Sequence, residues 1–309
     1  MTDIIPGIHH ITAIAADAQQ SIDFYTRVLG LRLVKLTVNF DDPSAYHLYF
    51  GDDAGHPGSI LTFFPFAMAA AGRSGAGVVD TTTFLVASDA LEPWIERLEG
   101  HGVTTRGPEE RFGQPFIAFA DPDGTRLEIA AGGPGTGEAI LGFAGATLWS
   151  LAPDRTLRLL TDGMGYTVTG EENGRIRLAA PGDAPTGRLL DVLTGTEAPR
   201  ARPGAGSVHH IAFRVPDETA QLAWRDRIAA LGYDVTPVID RQYFHSIYFR
   251  ERGGILFEIA TDPPGFTVDE APERLGTGLM LPPRYEDDRQ RIARRLPPVR
   301  LPGGEQVGG

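Results

Sequence analysis

Residues 7–14 read GIHHITAI and residues 207–215 read SVHHIAFRV. Each is a short apolar strand broken by the same dipeptide, His9-His10 in one and His209-His210 in the other, and each runs into a helical pattern. The likeness extends outward: the chain repeats at a period of roughly 65 residues, and every repeat opens on a strand, continues as an amphipathic helix and ends in strands. Helices are expected over 18–29, 91–98, 155–160 and 218–231, the first stopped by Gly30 and the last by Gly232. The third repeat is the faintest and the fourth the clearest. A DPDG turn at 121–124 joins two strands of the second, because Asp and Gly tolerate the backbone angles of a tight turn.

One strand–helix–three-strand unit leaves a sheet face unburied, so such units pair, and a pair makes a cupped sheet with its helices outside. The expected fold class is therefore α+β, with four βαβββ modules pairing into two cupped mixed sheets. Modules one and two span an N-terminal domain, 1–135, and modules three and four a C-terminal domain, 136–262. A Pro/Arg-rich tail, 263–309, carries one short helical pattern at 287–295. The glycine-rich GGPGTG at 132–137 has no helix-forming run after it and reads as a linker rather than a phosphate loop, and 194–206 reads as a second loop.

Composition narrows the function. A chain of 309 residues with 42% hydrophobic and 22% charged residues can bury a large core. Its net charge of −12 repels phosphate backbones and anionic lipid, which argues against nucleic acid or a membrane as partner. The opening MTDIIPGIHH lacks a basic stretch and apolar core, and the apolar run at 60–71 is broken by Pro65, so a cytoplasmic protein is expected. With no cysteine, a metal must be held by His and carboxylate. Lys35 is the sole lysine; it lies in a strand with no acidic or aromatic signature around it, and Schiff-base chemistry is discounted.

Two HH pairs at equivalent repeat positions are not expected of core packing. Neighbouring strand residues face opposite sides, so at most one histidine of each pair faces a cup in the same way. Glu258, in ILFEIA, is the carboxylate set inside an apolar strand, where only a partner such as a metal ion offsets its burial. Two imidazoles and a carboxylate form the facial triad of non-haem Fe(II) oxygenases, although Zn(II), Mn(II) or Ni(II) fit the same donors. The second cup opens on DTTTFLV and ATLWSL, without histidine, and Glu128 in RLEIA holds the place matching Glu258; that cup reads as vacated and Glu128 as structural. His47 and His245 are weaker pocket candidates, and His56 and His101 look like loop residues.

Together GIHHITAI, DFYTRVLGLRLVKLTVNFDDP, YHLYFGD, PGSILTFFPF, RFGQ, VHHIAFRV and FEIATDPPGFTVDE make the chain resemble the four-module ring-cleaving dioxygenases of the vicinal oxygen chelate (glyoxalase/bleomycin resistance/dioxygenase) superfamily that act on hydroquinones and chlorohydroquinones. The resemblance covers nearly the whole chain. It implies that modules one and four share the metal cup and that His10, His210 and Glu258 bind Fe(II), with Mn(II) as another redox-capable ion. It further implies extradiol-type cleavage of an aromatic diol by dioxygen, with catalytic roles for Tyr248, His209, His9, Arg241 and Thr12, and it allows a homo-oligomer. Thr12 shares His10's strand face. Tyr248 stands opposite Glu258 if the RERGG turn closes with three residues, whereas His9 and His209 reach the pocket only where the strands twist or bulge. Two rivals remain: a glyoxalase-I-like isomerase, a chemistry that on this fold generally uses four protein ligands, and a binding protein that sequesters an aromatic drug without turnover.

Overall fold

In the computed structural model, which describes residues 4–67, 69–195 and 199–309, the four repeats become four modules. Part of the loop read at 194–206, residues 196–198, and the first three residues of the chain lie outside the described residues. Module one comprises β1 (Ile8–Ala15), α1 (Ala18–Asp23), β2 (Arg32–Val38), β3 (Tyr46–Gly51) and β4 (Ile60–Pro65). Module two comprises β5 (Val78–Ala87), α2 (Leu91–Gly100), β6 (Arg106–Arg111), β7 (Gln114–Ala120) and β8 (Arg126–Gly133). Module three follows as β9 (Gly142–Trp149), α3 (Pro153–Arg158), β10 (Thr167–Glu172), β11 (Arg175–Ala179) and β12 (Leu189–Leu193). Module four is β13 (Ser207–Val215), α4 (Glu218–Ala230), β14 (Ile239–Asp240), β15 (Phe244–Arg250) and β16 (Leu256–Pro264).

Two eight-stranded mixed sheets result. One runs β14-β15-β16-β13-β1-β4-β3-β2 and the other β10-β11-β12-β9-β5-β8-β7-β6. Modules one and four thus share one cup and modules two and three the other, so each cup takes one module from either side of residue 135. The seams are antiparallel pairings of opening strands, β1 with β13 and β5 with β9. Both seams are bulged, and the bulges decide the site. Ile8 pairs with Phe213 but His10 with Ala212, leaving His9 as the extra residue; Thr12 pairs with His210 but Ala13 with Val208, leaving His209 as its counterpart. A bulge sets two residues against one and re-aims the extra side chain.

Two of the expected helices end differently. The α-helix starting at Ala18, capped by the Asp17 carboxylate on the Gln20 N–H at 2.8 Å, widens into a π-helical turn over Phe24–Val28. The wider turn lets Phe24 and Tyr25 both point into the core, where the Tyr25 hydroxyl donates to Asp121 at 2.9 Å. Module three repeats the device with a π-helical turn at Leu159–Gly163. Strand β6, RGPEER, carries no alternating pattern because it is an exposed edge. In the tail, the helical pattern at 287–295 resolves into a 3₁₀ segment, Pro283–Asp288, followed by α5 (Arg289–Ala293).

The tail is bound to the first cup. Lys35, far from lacking partners, is fully buried with its ammonium on Asp269 at 2.6 Å, on Glu270 and over the Tyr243 ring at 4.9 Å. Those groups lie more than two hundred residues away in sequence, which is why the local reading missed them. The same Asp269 accepts from the hydroxyl of Tyr243 at 3.0 Å and the amide of Gln242 at 2.7 Å. One buried cation therefore ties β2, the tail and the segment before β15 together. Among the described residues no helix is long and apolar enough to cross a membrane.

Candidate metal centre

β1 and β13 lie side by side, and β16 runs parallel to β13 with Glu258 beside Ala212. This register brings three buried donors together. His10 Nε2 and His210 Nε2 are 3.3 Å apart, and Glu258 Oε2 lies 3.4 Å from the first and 2.9 Å from the second. Among the described residues, His10, His210 and Glu258 are the group whose ligand atoms could hold one ion. The carboxylate is divided in its loyalties: Oε1 accepts from the Ser246 hydroxyl at 2.5 Å, while Oε2 is buried without a hydrogen-bond partner. An orphaned, fully buried carboxylate oxygen facing two imidazole nitrogens is costly unless a cation shares it.

The protonation states suit that donor set. Burial pushes the imidazoles of His9, His47 and His210 below the usual range, and burial beside His210 takes His209 down to about 4, so these rings are neutral at neutral pH. Burial alone would push the Glu258 carboxyl up, but the adjoining His10 and His210 outweigh it and hold the group well below the usual carboxylate range. An ionised Glu258 beside the neutral imidazole of His210 suits a divalent ion.

The bulges now explain the doubled histidines. His9 Nδ1 lies 2.9 Å from His10 Nδ1, and His209 Nδ1 lies 2.7 Å from His210 Nδ1. When Nε2 of His10 and His210 offers a lone pair, the Nδ1–H must donate, and His9 and His209 accept. With an ion in place, each pair would supply one donor and the neighbour that orients it. Such partners fix ring orientation and tautomer.

Above the triad a cavity of about 270 Å³ is walled by His47, Tyr49, Phe64, Phe66, Phe244 and Tyr248, with Arg241 and Asp41 at its rim. That is slightly below the ~300–1,000 Å³ of drug-sized sites and suits a single small ring. Tyr248 pairs with Glu258 across β15 and β16, and the Glu251 N–H bonded to the Ile255 carbonyl at 3.0 Å closes the turn around three residues, the condition on which the sequence reading made that pairing depend. Arg241 Nε donates to the Tyr248 hydroxyl at 3.3 Å and its other end meets Asp41 at 3.0 Å, spanning the mouth between modules four and one. Burial and the Glu258 charge keep the Tyr248 phenol protonated well past neutral pH.

Thr12 lies beneath rather than in the cavity wall, its hydroxyl 2.8 Å from that of Thr62. His47 joins the site: its Nε2 is 2.9 Å from Thr62 Oγ1 and its Nδ1 2.8 Å from the Tyr49 hydroxyl. Tyr49 and Ser246 escaped the sequence reading, although each lies on the same strand face as a residue that did not. His245 instead meets Glu218 at 2.7 Å outside the cavity; His56 and His101 are exposed loop or helix-end residues.

A fold of four such modules around a His-His-Glu group defines a class, and comparison bears it out: the chain belongs to the Glyoxalase/Bleomycin resistance protein/Dioxygenase superfamily, whose family model matches residues 7–129 and 147–268. Within it, the chain is 50% identical over 306 residues to "Putative ring-cleaving dioxygenase MhqO" of Bacillus subtilis (strain 168), covering 96% of this chain and 97% of that protein. It is 34% identical over 313 residues to the chlorohydroquinone/hydroquinone 1,2-dioxygenase of Sphingobium indicum, covering 94% and 96%. A crystal structure of a "putative dioxygenase" from Bacillus subtilis subsp. subtilis str. 168 superposes with a TM-score of 0.92 at 48% identity, covering 96% of this chain and 98% of that one. Relatives of this chain are thus named ring-cleaving dioxygenases along almost its whole length.

Proposed function

We propose that the protein is an Fe(II)-dependent, extradiol-type ring-cleaving dioxygenase for hydroquinone-like aromatic diols, with His10, His210 and Glu258 as the metal ligands. The observation that carries this reading is the buried Glu258 Oε2 facing two imidazole Nε2 atoms, of His210 at 2.9 Å and His10 at 3.4 Å. Three protein ligands leave positions open, and a bound Fe(II) there supplies the redox chemistry that joins a diol to dioxygen.

The chain's own residues supply the rest. His9 and His209 accept from the ligand imidazoles and hold them in one tautomer. The aromatic wall of Phe64, Phe244 and Tyr49 receives the ring and excludes water. Tyr248, neutral and beside Glu258, holds a proton that it can give to a substrate oxygen, and Arg241 stabilises the negative charge that the phenol then carries. Thr12, through Thr62, fixes the floor. The name of the Sphingobium relative supports hydroquinone as substrate class.

Anaerobic loading with Fe(II), followed by oxygen uptake with hydroquinone, catechol and the methylglyoxal–glutathione thiohemiacetal, tests the proposal. Oxygen consumption with the hydroquinone and a ring-opened product absorbing in the near ultraviolet are expected. Turnover of the thiohemiacetal without oxygen uptake from either diol would overturn it.

A further inference from the structure

Two tyrosines line the first cup's cavity from matching places in the repeat. Tyr49 lies opposite Thr62, which sits beside Thr12, and Tyr248 lies opposite Glu258, which sits beside Ala212. Thr12 and Ala212 each follow His10 or His210 by two residues, so the two phenols occupy equivalent positions in modules one and four. Tyr248 serves one substrate oxygen. Tyr49 and its neighbour His47 are buried titratable groups that take no part in that step.

The supply of hydrogen-bond donors decides where Tyr49 sends its proton. Thr12 is fully buried, and among the described residues its hydroxyl meets one partner, Thr62 Oγ1 at 2.8 Å. A buried hydroxyl that does not donate strands its hydrogen, so Thr12 donates to Thr62. Thr62 in turn gives its hydrogen to His47 Nε2 at 2.9 Å. Burial keeps the His47 imidazole neutral, with a single N–H; since Nε2 accepts, the hydrogen is on Nδ1 and is donated to the Tyr49 hydroxyl at 2.8 Å. Tyr49 Oη therefore accepts from His47 and keeps its own proton for another acceptor. Arg241 Nε does the same for Tyr248 at 3.3 Å. Burial and the neighbouring Tyr248 hold the Tyr49 phenol protonated far past neutral pH. Each module thus presents to the cavity one phenol, steadied by a nitrogen, with a proton to give.

We infer that Tyr49, oriented by His47, determines specificity: it donates a hydrogen bond to the second oxygen of the ring while Tyr248 serves the first, so that the cavity selects a diol over a ring with one hydroxyl. This rests on the reading of the cavity as a site for aromatic diols. A ring that carries a methyl group in place of the second hydroxyl fits the same space but leaves the Tyr49 proton unpaired among aromatic side chains. The loss of that bond, rather than exclusion by size, makes the choice. His47 acts through Tyr49 as a positioning residue.

The test compares hydroquinone with 4-methylphenol by titration calorimetry on the Zn(II)-loaded protein under argon. Wild type is expected to prefer hydroquinone by about tenfold or more. In Tyr49→Phe the preference should fall to about threefold or less, through weaker hydroquinone binding with 4-methylphenol affinity unchanged. His47→Leu should lose the preference likewise, and His47→Asn, whose amide N–H stands in for Nδ1–H, should recover it. A merely structural role for His47 predicts no such recovery. An unchanged preference in Tyr49→Phe, or an equal loss of both ligands, overturns the inference; a preference that His47→Leu keeps, or that His47→Asn fails to recover, overturns the part given to His47. Where circular dichroism shows the His47 variants unfolded, Tyr49→Phe alone decides. Binding alone is read, so a preference lost in Tyr49→Phe stands even if the Fe(II) form consumes no oxygen, an outcome that would sink the dioxygenase reading by itself. A wild-type protein that binds neither ligand, or both equally, overturns the selection of a diol.

Discussion

In the first cup the opening strands bring His10 and His210 to a carboxylate with a free oxygen; in the second the same register positions hold Thr81 and Gly145, and both carboxylates are claimed by arginine. Arg111 grips Glu128 at 2.9 and 3.0 Å, and Arg177 grips Asp191 at 2.8 and 3.0 Å, with Arg175 on Thr147 at 2.7 Å. The space left is about 20 Å³, against about 270 Å³ in the first cup. Even the bulges are kept, at Asp80 and Ala144, where the first cup has His9 and His209. One scaffold thus places carboxylates on its concave face twice. What fills the fourth side of the charge balance, guanidinium or a cation from outside, separates a plugged cup from a site.

The return path is closed as well. A Cβ added at Gly145 would lie 2.1 Å from the Leu189 carbonyl oxygen, so no side chain fits where the first cup has His210. The arginines stand where the second cup has no imidazole pair, because a buried carboxylate left alone in either cup destabilises the fold.

The contrast can be broken most severely at the donors. His10→Ala, His210→Ala and Glu258→Gln are each expected to abolish metal retention after dialysis and to bring oxygen uptake to background, while Glu128→Gln leaves metal content at the wild-type level. Metal analysis on the four variants reads this directly, and metal loss on changing Glu128 would mean that the cups have been told apart wrongly. For the wild type, Zn(II) should occupy the same donors and support no oxygen uptake, since ring opening by dioxygen needs a redox-capable ion.

Next in size is Tyr248→Phe. Removing a positioned proton donor is expected to lower kcat by about 10²–10⁴-fold with metal content unchanged. A variant that turns over normally would assign the proton to another group, with His209 the next to examine.

In the second cup, Arg111→Ala should strand Glu128 and cost about 3–5 kcal/mol of stability, the range for breaking a buried pair. Denaturant unfolding measures the loss, and oxygen uptake per folded molecule is expected to stay near wild type. A fall in activity without a fall in stability would show that the plugged cup communicates with the open one. The smallest effect is expected at the orienting histidines: His9→Ala and His209→Ala should keep metal bound, with affinity or turnover reduced by about 10–100-fold. Metal loss as complete as in His10→Ala would reverse the roles within each pair.

The repeat, the need of its units to pair into cups and the candidate His-His-Glu group were legible in the amino-acid sequence, in period-two apolar strands, helices closed by glycine, and HHI recurring at one position of the repeat; that modules one and four share a cup was implied only by the resemblance to the ring-cleaving dioxygenases. The register of Tyr248 against Glu258 was left conditional on the length of the turn around Gly253, and the Glu251–Ile255 hydrogen bond, enclosing three residues, decides it. Only the tertiary structure decided what the side chains meet. Strand parity would send His9 and His209 away from the cup, and a one-residue bulge in each of β1 and β13 brings them back; a bulge demands an extra residue but no particular residue type, so it leaves no mark in the pattern. Lys35 looked unpartnered because its acids come from the tail, and Arg111 lies on an edge strand whose charged sequence, RGPEER, has no periodicity to read. Local order is written by neighbours in sequence, whereas the charge balance of each cup is set by groups that meet across modules, and their meeting is a property of the closed sheets alone.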